Sequence, residues 1–260
     1  MPKGFDNASK DYDKTFTFSK IGKAQRSRVY SHINPIISSP KKLEIFEVNC
    51  GTGEDALKFA NLGHKVLATD SSSEMIALAN SKTSLENLQF KVLNINSILV
   101  TGFNSKFDLI FSNFGGLNCL SKEQLHIFFN TCVSLLKPDS KLVLVIMSKK
   151  CLWENIYFYL RGKIKKAKRR NTNEPLLVNV HGELIKTWYY SPKDIVSLTK
   201  KLFVVKAIRP IGILIPPSYL ENTFITKGFI FKMLVNIEKL LNFSFLANYA
   251  DHFIIELEKR

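Results

Sequence analysis

Between Leu43 and Met147 short apolar runs alternate with segments whose apolar residues recur at helical spacing. Leu43 to Val48 reads as a strand, and Glu54 to Asn61 as a helix stopped by Gly63, a residue that readily ends helices. Lys65 to Thr69 is the second strand, closed by Asp70. Ser72 or Ser73 can cap the next helix, which carries Met75, Ile76, Leu78 and Ala79. Leu88 to Leu93 and Phe107 to Ser112 are the third and fourth strands. A helix with Leu125, Phe128, Phe129, Cys132, Leu135 and Leu136 on its apolar face stops at Lys137-Pro-Asp139, and Lys141 to Met147 is the fifth strand. Strands that alternate with helices of this length predict an α/β fold, a mostly parallel sheet covered on both faces.

The flanks follow other rhythms. Residues 1–42 read as a polar, helical N-terminal cap ending in the turn signal Ser38-Ser-Pro40. After Met147 a basic stretch, Arg161 to Arg170, precedes an extended segment from Val178 to Tyr190. Ser191-Pro192 starts a helix through Lys200, Leu202 to Ala207 is a strand, residues 219–246 form an apolar-rich helix or helix pair, and His252 to Glu258 is a closing strand. Helical spacing of Phe231, Leu234, Ile237 and Leu241 predicts a core face. The expected organisation is one domain over 1–260: the cap at 1–42, a core at 43–147, a lid or substrate insertion at 148–200, and C-terminal strands and helices at 201–260.

Composition narrows the classes. With 45% hydrophobic and 23% charged residues the chain can build a sizeable core. A formal charge of +15 points towards nucleic acid, anionic membrane or acidic partners without choosing among them. Cys50, Cys119, Cys132 and Cys151 are too scattered for a disulfide framework or a metal site. The start of the chain lacks an apolar signal core and no long uncharged apolar run appears, so a cytoplasmic location is expected.

Candidate chemistry lies in Glu47-Val-Asn-Cys-Gly-Thr-Gly53. Small residues at a strand-to-helix turn let a ligand lie on bare backbone, and a carboxylate ending the next strand, Asp70, is placed to accept bonds from ribose hydroxyls. Gly51-Thr-Gly53-Glu-Asp-Ala56 also matches the dinucleotide fingerprint. Glu47, Glu54 and Asp55 around the turn would repel a pyrophosphate, whereas a sulfonium and an ammonium suit an acidic surround.

Five segments in order resemble class I S-adenosylmethionine-dependent methyltransferases of the small-molecule type: FDNASKDYDKTF, IFEVNCGTGEDAL, VLATDSSSEMIALA, FDLIFSNFGGLNCL and LLKPDSKLVLVI. The resemblance implies a Rossmann-like, mostly parallel seven-stranded sheet with a basic substrate-side insertion after strand 5, and S-adenosyl-L-methionine as cofactor. It places Asn49, Gly51 and Gly53 at the methionine and sulfonium end, Asp70 at the ribose, Ser71 or Met75 beside the adenine, Asn94 at its amino group, and Asn113 and Phe114 beside the methyl, with Glu47 and Ile95 as further cofactor-binding candidates. Gln25 and Arg26 would reach the ligand carboxylate. Asn49 replaces the motif's first glycine; asparagine tolerates left-handed backbone, so the turn can survive.

The implied reaction is methyl transfer to a small, lipophilic or carrier-bound acceptor. An RNA methyltransferase acting on ribose or a ring carbon, and a non-catalytic cofactor-binding scaffold, remain open beside it. No catalytic residue is compelled, because alignment can carry such a transfer. His181 is the one general-base candidate, against a plain role as a polar strand residue. The stretch 161–170 is either a solvated face or a recruiter of an acidic partner, and with 229–246 it offers a peripheral membrane contact.

Overall fold

The computed structural model describes residues 4–101 and 106–260. Residues 1–3 of the expected cap lie outside them. The chain opens with α1 (Gly4–Tyr12), a π-helical turn (Asp13–Thr17) and α2 (Lys20–Ile37), whose cap is Ser19 accepting the Gly22 N–H. The core then runs β1 (Glu44–Val48), α3 (Glu54–Asn61), β2 (Lys65–Asp70), α4 (Ser73–Ser81), β3 (Leu88–Val92), β4 (Phe107–Ser112), α5 (Lys122–Leu135) and β5 (Leu136–Met147). Beyond it come α6 (Leu152–Tyr159), α7 (Ile164–Ala167), β6 (Leu176–Val180), β7 (Glu183–Thr187), α8 (Pro192–Thr199), β8 (Phe203–Ile211), α9 (Gly228–Glu238) and β9 (His252–Lys259).

The described residues form a seven-stranded sheet in the order β3-β2-β1-β4-β5-β9-β8, parallel except for β9, and a separate β6-β7 hairpin. Alternation along each strand feeds two cores. Phe46, Val48, Ile110, Leu142, Leu144 and Ile146 pack against α5 and α8. Their neighbours Ile45, Leu109, Phe111, Val143 and Val145 pack against α2, α3 and α4. Parallel order puts the carboxyl ends of β1, β2, β4 and β5 on one edge, where crevices form. No helix among the described residues is long and apolar enough to cross a membrane.

Several expectations are corrected. Leu136 belongs to β5 rather than to the helix before it, because the α5 ladder ends at Leu135. The extended run from Val178 is a hairpin: His181 (φ 46°) and Gly182 (φ 93°) both turn left-handed, as a two-residue hairpin turn requires. Helix α8 packs in the core layer, with Ile195 fully buried.

The expected core face of 219–246 is only partly buried: Leu234 and Leu241 are half-buried and Ile237 is exposed. Only Phe231 of its four residues is buried. Helix α9 is instead oriented by Glu238, whose buried carboxylate accepts the N–H groups of Gly212, Ile213, Leu214 and Ile215 at 2.8, 3.2, 2.6 and 3.4 Å.

The basic stretch is likewise not a uniform solvated face. Arg169 and Arg170 both reach the buried Glu154, at 2.6 and 3.0 Å, and Arg170 also holds Asp251 at 3.0 Å. Asp251 further accepts from Gln25 Nε2 at 3.1 Å and stands 3.2 Å from His252 Nδ1. Burial by itself would raise the Asp251 carboxyl; His252 and Arg170 outweigh it and hold it well below the usual range. The network ties α6 and the stretch after α7 to the start of β9.

Candidate active site

The site is built on the turn after β1. Asn49 (φ 57°), Gly51 (φ 53°) and Gly53 (φ 82°) are all left-handed, so the chain reverses within five residues of Val48. A Cβ on Gly53 would lie 2.6 Å from the Phe90 ring, so close packing as well as conformation requires glycine there. The Asn49 amide donates to Ser112 Oγ at 3.3 Å and lies directly over Gly116, where a Cβ would overlap the asparagine side chain. Gly116 thus provides the space that the Asn49 side chain, standing in place of the motif's first glycine, takes up. Gly116→Ala is expected to destabilise the protein by about 1–3 kcal/mol, as overpacking does, and by clearly less in an Asn49→Gly background. Urea unfolding of the two single variants and the double variant checks it; equal losses in both backgrounds would refute the coupling.

Asp70 ties the turn to the next strand. Its Oδ2 accepts the Gly51 N–H at 2.9 Å and its Oδ1 the Ser72 N–H at 3.0 Å. Burial raises this carboxyl, and the backbone N–H groups of Ser72, Gly51 and Ser71 act against that rise. Ser72 caps α4 through Met75 N–H and gives its own proton to Asp6 on α1. The π-helical turn closes from the same side. Asp13 accepts from Thr52 Oγ1 at 2.6 Å and pairs with Lys82 at 2.6 Å, and Lys82 also reaches Glu54 at 3.0 Å. Tyr12 lies against Gly51, its phenol pushed up to about 12 by burial.

Asp55, in the first turn of α3, is the hub of the opposite wall. It accepts from Arg26 at 2.5 Å, from the Tyr30 hydroxyl at 2.6 Å and from Asn113 Nδ2 at 2.9 Å. A helix N-terminus suits a buried carboxylate. The Arg26 guanidinium lies 5.4 Å from the Phe114 ring centroid, and Phe114 (φ 41°) meets Phe16 and His252 edge-on at 5.2 and 5.5 Å. Below the turn Glu47 is buried. Burial first, then Asp55, raises its carboxyl far above the ordinary range, while Arg26 opposes them. Among the described residues, the acceptor Glu47 Oε2 and the donor Arg26 Nε find no hydrogen-bond partner.

Tyr12, Arg26, Asn49, Gly51, Thr52, Asp55, Asn113 and Phe114 line one cleft, with about 30 Å³ open to water beneath α1. Of the expected residues, Arg26, Asn49, Gly51, Asn113 and Phe114 meet there, and Glu47, Gly53 and Asp70 support its floor. Gln25 does not: it is fully buried and bonded to Pro216 O and Asp251, one helical step away from Arg26. Met75 is buried in α4, Ser71 is exposed, and the Asn94 side-chain carbonyl accepts the Asn96 N–H at 2.9 Å beside Ile95. His181 is exposed at the tip of the β6-β7 turn rather than in a strand, and does not line this cleft. Sequence reading missed Tyr12 and the hub role of Asp55, since partners 25 to 58 residues away leave no local signal.

A sheet in this order, with a glycine turn and a strand-end carboxylate at its carboxyl edge, defines the class I, Rossmann-like methyltransferase fold. Residues 45–139 match the family model described as a methyltransferase domain. Its sequence is 31% identical over 112 residues to YqeM of Bacillus subtilis (strain 168), a protein carrying a methyltransferase name, covering 43% of this chain and 45% of that one. It is 25% identical over 115 residues to a malonyl-[acyl-carrier protein] O-methyltransferase of Bacillus cytotoxicus, covering 44% and 38%. The chain thus spans less than half the length of these curated relatives. A solved SAM-dependent methyltransferase structure from Methanosarcina mazei superposes with a TM-score of 0.57 at 19% identity, over 86% of this chain and 97% of that one.

Proposed function

We propose that the cleft, once α1 and the π-helical turn that cover the Gly51 turn move outward, binds S-adenosylmethionine, and that the protein transfers its methyl group to a small, lipophilic or carrier-bound acceptor. The observation that carries this reading is two buried polar atoms without partners, a carboxyl oxygen on Glu47, just below the Gly51 turn, and a guanidinium N–H on Arg26, which lines the cleft. Buried polar groups are normally satisfied, so one free acceptor and one free donor fit a ligand ending in an ammonium and a carboxylate, as an amino acid does. Glu47, Asp55 and Asp70 together favour a cation and disfavour a pyrophosphate.

In this reading Glu47 and Arg26 hold the amino-acid end, Asp70 the ribose, and the Gly51 backbone lies under the sulfur. When bound, the cofactor supplies an electrophilic methyl on a sulfonium. The chain aligns the acceptor and excludes water, with Phe114, Tyr12 and Phe16 forming an aromatic wall. The likeness to an enzyme named for a carrier-bound malonyl group supports a carrier-bound or similar acceptor. The nucleic-acid alternative loses two of its cations, since Arg169 and Arg170 are turned onto Glu154.

Calorimetric titration of the full chain with S-adenosylmethionine, S-adenosylhomocysteine and NAD tests the reading. Saturable binding of both sulfur ligands and none of NAD is expected. Binding of NAD in preference to them, or no binding of any, would overturn it.

A further inference from the structure

We propose that α9 and its flanks form an anionic-membrane docking surface, a role separate from the cleft and independent of the methyl-transfer reading. The rotation of α9 is fixed from within. Phe231 packs with Ile21, Ile215 and Leu220, Val235 packs against the same cluster, and Glu238 is locked onto the backbone from Gly212 to Ile215. With about 100° per residue, the opposite side must then carry Phe229, Ile230, Met233, Ile237 and Leu240. All five are exposed, Phe229 at 79% and Leu240 at 73%. Phe224 precedes the helix at 73% exposure, and Phe243 and Phe245 follow it, stacked on each other at 5.9 Å and both exposed.

Charge selects the occupant. Lys232 and Lys239 fall together on one flank of this apolar arc and Lys227 sits at its start, all three exposed, while the helix's only acidic residue, Glu238, points inward. Lysines at the edge of an apolar face can rest their stems on it and lift their ammonium groups to a phosphate layer. Helix α6 packs on the inner side of α9. Its Trp153 and Tyr157 pack on the cluster that holds Phe231, and Tyr157 meets Tyr219 at 6.0 Å. Its exposed Ile156 and Leu160 lead into Arg161, Lys163, Lys165, Lys166 and Lys168, all exposed. A symmetric second copy would present the same lysine-edged helix face, with Glu238 turned inward and unable to pair those lysines, which favours anionic lipid over self-association.

The test is co-sedimentation of the full chain with phosphatidylcholine vesicles, with and without roughly one third phosphatidylglycerol. Strong partition onto the anionic vesicles, reduced at about 0.5 M salt, is expected. The double variant Phe229→Ser, Leu240→Ser should lose about tenfold or more of that partition with an unchanged melting temperature, because both side chains are exposed. Lys232→Glu with Lys239→Glu should remove the preference for anionic vesicles. The proposal is overturned if the wild type stays in the supernatant with anionic vesicles, or if the serine variant partitions equally well. It is also overturned if the face instead closes a dimer that the serine variant splits, or if an acidic carrier protein binds there while vesicles do not.

Discussion

Asp70→Ala is expected to weaken S-adenosylmethionine binding by about a hundredfold or more. In the proposed pose the carboxylate accepts two ribose hydroxyls, and bonds to a charged acceptor contribute about 1.5–3 kcal/mol each. Losing both therefore corresponds to a factor of about 10² to 10⁴. The same carboxylate positions the turn by accepting from Gly51 and Ser72, so part of the loss comes from a loosened floor. Asp70→Asn keeps an acceptor oxygen and should lose about tenfold. Calorimetry on the three proteins reads this order directly; an alanine variant within threefold of wild type would remove Asp70 from the binding site.

The second large effect concerns Arg170→Met, which leaves Glu154 and Asp251 buried without their shared cation. Breaking a buried pair from one side costs about 3–5 kcal/mol. The loss should depend on pH. Because the folded-state Asp251 carboxyl is held below its unfolded value, its contribution to stability is present above about pH 4 and is lost as pH falls towards the folded value. Without Arg170 the carboxyl moves upward and protonates sooner, which relieves the variant in acid. The gap between wild type and variant should therefore be widest near neutral pH and narrow below about pH 4. Urea unfolding at the two pH values measures it. A gap under about 1 kcal/mol at neutral pH, or one that does not change with pH, would mean that the network does not stabilise the fold. Lys166→Met, an exposed neighbour, should stay within about 0.5 kcal/mol of wild type.

Much of the fold is written locally. The core strands alternate apolar residues towards two helical layers, and Ser72 and the Ser191-Pro192 pair cap the helices they precede. The turn Glu47 to Gly53 and the strand-end Asp70 were legible for the same reason, since glycine, asparagine and a terminal carboxylate each answer a backbone requirement within a few residues. The hairpin at His181-Gly182 escaped because the pair lacks the Asn-Gly or Asp-Gly signature by which a two-residue hairpin turn is read.

What only the tertiary structure decided depends on residues far apart in the chain. Whether Arg170 is a solvated cation or a buried one depends on Glu154 and on Asp251, 81 residues away. Whether the apolar side of α9 faces in or out depends on Glu238 finding four backbone N–H groups in another segment. Periodicity records that a helix has an apolar face. Burying a charged group, by contrast, requires a partner delivered by the fold, so its location follows from packing and desolvation rather than from spacing.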